Sequence, residues 1–578
     1  MIFFPRAGHN GRMNSMGMSA GRVLFRVSLA VMVVYLLAMS VLWILGVESI
    51  YAHPTPFYAL YLPAFSTPAA PLAVLWVAVL VSLYATRRAG LRPARLGLGA
   101  VVSCVSGLAV LAALVAVQMR AAPEGALSWL AGGGREFLWY LGPVAAFFGF
   151  AVALARSSVP AALGGLAPAP DAAETRRTVA ATAVFLFCFA CTVAMLRHGT
   201  LGISQAYQRE AYEYVGDIGK TGTIHDLFAR YAQIRPYLSM HAKVHPPGPI
   251  ALLWVMSWVV TRDALALSLA TAAVGALGVF PLHAWLRACF GARTALAGVL
   301  VYTMVPAIVL FTATSADILF TPFTLTALWG FERSLRGGRP GYALAGGAAY
   351  GLATLMSFSL IGVGVYFAVA GLLAFARAGS RGAVVRTAAL MLAAFLALHG
   401  LVWFWSGFDY LGALRAARVQ FDLDQYNLDQ FTPRYPGWTF RLIFNPATWF
   451  YFSGIPVSLL FLRRIVTLRG AQAEDDMIDG PCGTGVPAGV PDARPVGPGP
   501  RATLAAFALA AVALNFLYLA RGEGERSALY LIPFLVGPAA VAMARMCGRA
   551  RSAEPLWGML GFLAFQCWMT ELYFYTYW

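Results

Sequence analysis

The sequence predicts an all-α, polytopic transmembrane bundle, and three observations predict it. First, 60% of the 578 residues are hydrophobic and only 12% are charged, about half the charged share of a soluble domain. Second, apolar runs long enough for a helix to cross the hydrocarbon core of a bilayer recur along the chain. Third, arginines gather in the short stretches between those runs, as they do in cytoplasmic loops. The net charge of +17 is therefore a topology signal, and no nucleic-acid partner is expected. Helices are the spanning element because each closes its own backbone hydrogen bonds in lipid.

The elements follow in order. Arg6, Arg12 and Arg22 precede an apolar run from Val23 to Gly46, which places the N-terminus in the cytoplasm. No small-residue cleavage site follows a short apolar stretch, so this run is expected to stay as an anchor. Further spans are predicted at 69–85, 98–118 and 137–155, with Arg87, Arg88, Arg92 and Arg95 on the inner side. Residues 1–155 thus form an accessory segment of four helices, and a Pro/Ala-rich cytoplasmic linker covers 156–177. The main body is expected over 178–464. It opens with a span at 179–196, in which Cys188 and Cys191 read as packing residues of an apolar helix.

That span delivers a polar segment, 198–249, to the outer face. The apolar run behind it, Ile250 to Val260, is too short to cross and reads as a helix dipping in from one side. With that reading the later basic clusters, from Arg287/Arg293 to Arg545/Arg549/Arg551, fall inside one after another. Helices are predicted at 264–286, 294–313, 318–333, 341–357, 359–376, 387–405, 441–462, 502–520, 527–545 and 556–575, giving about 15 spans in all. Residues 406–440 are expected outside, with LGALRAARVQFDLDQY as an amphipathic helix on the membrane surface. Residues 465–501, rich in Gly and Pro, read as a disordered cytoplasmic linker before the C-terminal helices of 502–578.

On this topology the acids and histidines collect on one side. The 198–249 segment supplies Glu210, Glu213, Asp217, His225, Asp226, His241, Lys243 and His245. A short turn supplies Asp317, and a late GEGER turn supplies Arg521, Glu523, Glu525 and Arg526. Carboxylates at such a boundary can act as general bases on an acceptor hydroxyl. Cationic side chains there can hold a phosphate whose charge grows as it leaves. Each feature also has a plainer reading. Loop acids are solvated, HPPGP is a stiff turn, and Asp317 is a helix N-cap. Their combination at one surface is what points to chemistry.

The acid-and-tyrosine stretch REAYEYVGDIGKTG, followed by HAKVHPPGP, resembles the GT-C class of membrane glycosyltransferases, which includes protein O-mannosyltransferases and aminoarabinose transferases. TATSADILF and GEGERSALYLIPF add to the likeness, which runs from about Thr178 to the C-terminus. The resemblance implies a polyprenyl-phosphate-linked sugar as donor and a glycan, lipid or protein as acceptor. It also implies transfer at the outer face of a bacterial plasma membrane, in cell-envelope assembly. It makes an early acid of the polar segment the base, with Glu210 the closest match and Glu213 and Asp217 as alternatives. Arg209 stands where many members carry an acid. Asp317 corresponds to the acid of the second outer turn. His241, Lys243, His245 and Arg526 would face the donor phosphate. A divalent metal is compatible with this chemistry, and no ligand spacing demands one. A transporter or flippase of lipid-linked saccharides is the alternative, as is a non-catalytic subunit of polysaccharide assembly. A transporter calls for polar residues in mid-span, whereas these charges lie at one surface.

Overall fold

The computed structural model describes residues 20–35, 142–337, 339–431, 442, 445–466, 499–517 and 529–573. The predicted spans 69–85 and 98–118, the linker residues 467–498 and the GEGER turn with Arg526 lie outside the described residues. Among the described residues every regular element is helical, as the apolar composition requires.

Four helices are long and apolar enough to cross a membrane: Ala172–Leu196, Ala264–Phe290, Phe358–Phe375 and Arg381–Ser406. Two bent pairs raise the number to six among the described residues. Other predicted spans form helices that are shorter or less apolar, such as Phe320–Leu335 and Glu554–Tyr573. These lie inside the bundle, where protein neighbours rather than lipid accept their polar positions.

Helix α1 (20–35) stands against the C-terminal helix, with Phe25 edge-on to Phe562 at 5.8 Å. Helix α2 (Gly142–Ala155) precedes the predicted linker. Part of that linker is helical. Helix α3 (Ala172–His198) begins at Ala172 rather than near Val179, because Asp171 caps it by accepting the Glu174 N–H. Glu174 in turn accepts the N–H and hydroxyl of Ser158, folding the linker back on the helix start.

After α3 the chain forms α4 (Thr200–Gln208) and then the polar segment, which contains the short helix α5 (Ile224–Ala229). Helix α6 (Gly248–Val260) is the predicted short apolar helix. Its 13 residues extend about 20 Å, less than the bilayer core of about 30 Å. Its start is wedged against the bundle: a Cβ on Gly248 would lie 2.1 Å from the Leu355 carbonyl oxygen. Gly248→Ala is therefore expected to destabilise the protein by about 1–3 kcal/mol, read as a lower Tm of the detergent-purified protein.

Helices α7 (Ala264–Ala276) and α8 (Val279–Phe290) continue one another as a single span. The predicted helix 294–313 is bent by 57°, into α9 (Ala292–Tyr302) and α10 (Pro306–Thr314). Pro306 has no N–H to carry a continuous ladder across the break. Helices α11 (Phe320–Leu335), α12 (Pro340–Met356) and α13 (Gly364–Phe375) follow.

Helix α14 (Arg381–Ser406) is little covered by protein and ends in exposed Trp403, Phe404 and Trp405, an aromatic collar of the kind found at membrane interfaces. The predicted amphipathic helix is α15 (Tyr410–Phe431). Ala413 and Ala417 lie on its buried side, with Leu411, Val419 and Leu423 exposed.

The expectation of one helix over 441–462 is corrected. The chain instead forms α16 (Asn445–Phe452) and α17 (Ile455–Val466), bent by 112°. Gly454 makes the corner at φ +87°, a conformation that glycine adopts without steric cost. Helices α18 (Pro500–Leu517), α19 (Ile532–Ala550) and α20 (Glu554–Tyr573) close the bundle.

Candidate active site

The polar segment is held by its own backbone. The N–H groups of Met240 and His241 donate to the carbonyls of Ala211 and Tyr212, so the stretch ahead of HPPGP pairs with the acid-bearing stretch. That pairing brings His241 beside Glu213, with Nδ1 3.2 Å from Oε1. Both are largely withdrawn from solvent, Glu213 at 3% exposure. Tyr214 packs under both histidines, its ring centroid 6.2 Å from that of His241 and 5.6 Å from that of His245.

Tyr231 anchors the HPP stretch by donating its hydroxyl to the carbonyls of His245 and Ala242. Burial lifts the Tyr231 phenol well above its usual range, so it remains a donor at any physiological pH. Arg235 donates to the Lys243 carbonyl, while Lys243 itself sits in the Ala242–Val244 turn between the two histidines. Two prolines then set the chain extended at His245 and turn it into α6.

Asp317 reaches the same neighbourhood from another part of the chain. It lies in the Ala316–Leu319 turn between α10 and α11, is 6% exposed, and its N–H donates to Ser315 Oγ. Ser315, not Asp317, is the cap, so the plainer reading of Asp317 does not apply. Phe320, just beyond it, faces the His245 ring at 6.1 Å. Tyr207 of α4 lies within electrostatic reach of both acids. Its hydroxyl shares a 2.6 Å hydrogen bond with Thr271. Burial raises the Tyr207 phenol well above its usual range; the Thr271 bond opposes this, and the carboxylates of Glu213 and Asp317 add to it. The structure thus brings Glu213, His241 and His245 together around Tyr214, and the Asp317 turn reaches the His245 ring through Phe320.

Two other sequence candidates occupy different positions. Asp217 is 1% exposed and accepts the Ser239 N–H with both oxygens, at 3.1 and 3.0 Å, and Lys220 Nζ at 2.6 Å. These bonds tie the two halves of the segment together. Glu210 is exposed, in the turn after α4. His225 lies at the segment's edge, where Nε2 is 3.1 Å from the Trp405 carbonyl. Neighbouring Asp226 is partly exposed, and the Thr223 hydroxyl holds its carboxyl below the usual range. Among the described residues no three His, Cys, Asp or Glu side chains are grouped as metal ligands.

A cover over the segment comes from beyond α14. Phe408 packs edge-on against Phe228 and Tyr231 at 5.5 and 5.6 Å, and α15 continues across the Ala242–Val244 turn.

Sequence reasoning did not single out Tyr207, Tyr231 or Lys220. A tyrosine in a polar segment carries no signal until its distant partner is known, and nothing in the local pattern marks Lys220 as the partner of Asp217 three residues before it. It also did not single out the buried pair at the far end of α11. There Glu332 takes Arg336 Nε at 2.9 Å and the Tyr366 hydroxyl, while Arg336 Nη2 reaches Thr503 of α18. This pair sits a whole helix away from Asp317 and ties α11, α13 and α18 together.

Residues 244–405 match the family model of dolichyl-phosphate-mannose-protein mannosyltransferase. No curated protein and no solved structure matches. The helical bundle and this match support a GT-C-like membrane glycosyltransferase. The matched stretch starts at the residue before His245 and runs through Asp317 to the end of α14. Glu213 and His241 lie outside it.

Proposed function

We propose that this protein transfers a sugar from a polyprenyl-phosphate-linked donor to an acceptor hydroxyl at the extracytoplasmic membrane surface. The observation that carries the reading is the buried Glu213–His241 contact, joined through Tyr214 and His245 to the stretch where the family match begins. Glu213 is the general base, taking the proton from the acceptor hydroxyl as it attacks the anomeric carbon. His241 steadies its carboxylate. His245 and Lys243 stabilise the departing lipid phosphate, whose negative charge grows as the glycosidic bond breaks. Asp317 lines the opposite side. Asp217 is a structural residue, and Glu210 has no part in the reaction. The Arg526 role implied by the family resemblance remains part of the proposal for the phosphate side. Transfer of radiolabel from a polyprenyl-phosphate sugar by the purified protein, with a hydroxyl acceptor present, tests the reading. Transport of the labelled lipid without transfer would overturn it.

The same reading places 198–249 outside and the 467–498 linker inside. In a background lacking the other native cysteines, a membrane-impermeant maleimide is expected to label Tyr237→Cys from outside and native Cys482 from the cytoplasmic side only. Tyr237 suits the purpose because it is 80% exposed, whereas neighbouring Ser239 is buried. Labelling of both positions from one side would sink the topology.

A further inference from the structure

Among the described residues the bundle contains two sharply bent pairs of apolar helices, and one face of α20 fills both breaks. At the α16–α17 corner, the Gln566 amide donates to the Tyr451 carbonyl at 2.7 Å, and its Oε1 accepts the Ile455 N–H at 3.1 Å. One side chain thus serves backbone groups on both sides of a 112° bend. At the α9–α10 bend, Cys567 Sγ lies 3.4 Å from the Met304 carbonyl oxygen, which its thiol meets as a weak donor. Leu563 seals the space between the breaks: a Cβ on Gly454 would lie 2.4 Å from Leu563 Cδ2 and 3.5 Å from Pro306 Cδ. One turn further on, the Tyr451 hydroxyl meets Thr570 Oγ1 at 3.1 Å, and Thr570 donates to the Gln566 carbonyl.

Leu563, Gln566, Cys567 and Thr570 recur at the spacing of one helix face, and each is 0% exposed. The buried backbone groups at a break need partners, and this face supplies them. Helix α10 leads straight into the Ser315–Asp317 turn, so the angle of the α9–α10 bend sets where Asp317 lies. The two breaks are also coupled directly, since Phe311 of α10 packs on Phe452 of α16 at 6.4 Å.

We infer that α20, which lies outside the family-matched stretch, is a strut that positions the active site, and that Gln566 is its central positioning residue. Gln566 is far from the proposed chemistry in sequence and acts through the bends, not on substrate. This inference rests on the reading of Asp317 as a site residue.

The test uses Gln566→Leu, which removes both amide hydrogen bonds, and Gln566→Glu, whose neutral carboxyl retains a donor and an acceptor. Hydrogen exchange of the full-length protein in nanodiscs is followed over 302–319 and 451–458, beside sugar-transfer kinetics. Gln566→Leu is expected to speed exchange in both segments and to lower kcat roughly 10- to 100-fold, the scale of a small misplacement of reacting groups, with the donor KM little changed. Gln566→Glu is expected to restore both measurements. Leu563→Ala, which leaves every hydrogen bond in place, provides a milder probe of the same bends if Gln566→Leu does not accumulate. Unchanged exchange over 302–319 in these variants overturns the strut. Asp317→Asn is run alongside. If Asp317→Asn is inactive while loosened Gln566 or Leu563 variants keep full kcat, the positioning role is overturned. If Asp317→Asn is itself fully active, it is the site assignment that fails.

Discussion

Glu213→Gln is expected to lower sugar transfer by about 10²- to 10⁴-fold, the usual contribution of a positioned general base, while membrane insertion and fold are preserved. The amide matches the carboxylate in shape and can keep its place beside His241, 3.2 Å away. It cannot take a proton from an acceptor hydroxyl. The loss should fall on kcat, with the donor KM little altered, because the proposed phosphate contacts of His245 and Lys243 remain. Glu210→Gln is the matched control. That side chain is exposed, and its variant should retain wild-type transfer. The measurement is initial-rate transfer from a radiolabelled polyprenyl-phosphate sugar. Full activity in Glu213→Gln with loss in Glu210→Gln would move the base to the residue that the family resemblance favours.

Asp217→Ala should abolish activity by a different route. The buried carboxylate accepts the Ser239 N–H with both oxygens and pairs with Lys220. Hydrogen bonds to an ionised group each contribute about 1.5–3 kcal/mol, so the segment should lose about 3 kcal/mol of local stability. The Lys220 side chain is 45% exposed, so its ion pair adds little beyond this. Without Asp217 the register that sets His241 beside Glu213 has lost its main side-chain tie. Trypsin should then cut at Lys220 and Arg230 faster than it does in the wild-type protein. Asp217→Asn should behave nearly as badly, because whichever way its amide is turned the NH2 faces the Ser239 N–H, and the charge that pairs with Lys220 is gone. Asp217→Asn with wild-type protease resistance and no transfer would instead make Asp217 the base.

The three acids of the polar segment show how far sequence reading reaches here. Glu210, Glu213 and Asp217 fall within eight residues, and each is compatible with the spacing to HPPGP. Nothing local separates them, since all three are carboxylates in one polar segment. The difference between them arises from residues a few turns away: Ser239 and Lys220 on Asp217, His241 against Glu213, and solvent on Glu210. Those contacts depend on how the two halves of the segment pair, which a residue pattern does not encode. Asp317 was legible as an unusual acid at a turn. Its place beside the HPP stretch was not, because it depends on how the turn after α10 sets Phe320 against His245.

The helix breaks divide in the same way. Pro306, Gly454 and Pro456 are visible in the sequence, and each weakens a continuous helix. Proline and glycine permit a bend without specifying its angle, and the 57° and 112° bends depend on what packs into them. By itself, the sequence determined the all-helical membrane architecture, the short helix behind HPPGP and the clustering of acids and histidines in a few segments. These follow from hydropathy, segment length and local polarity, which act residue by residue. Only the tertiary structure decided which acid lies buried beside a histidine, which one holds the segment together, and which face of the last helix fills the breaks. Burial and partnership are properties of pairs, and the partners here lie tens to hundreds of residues apart.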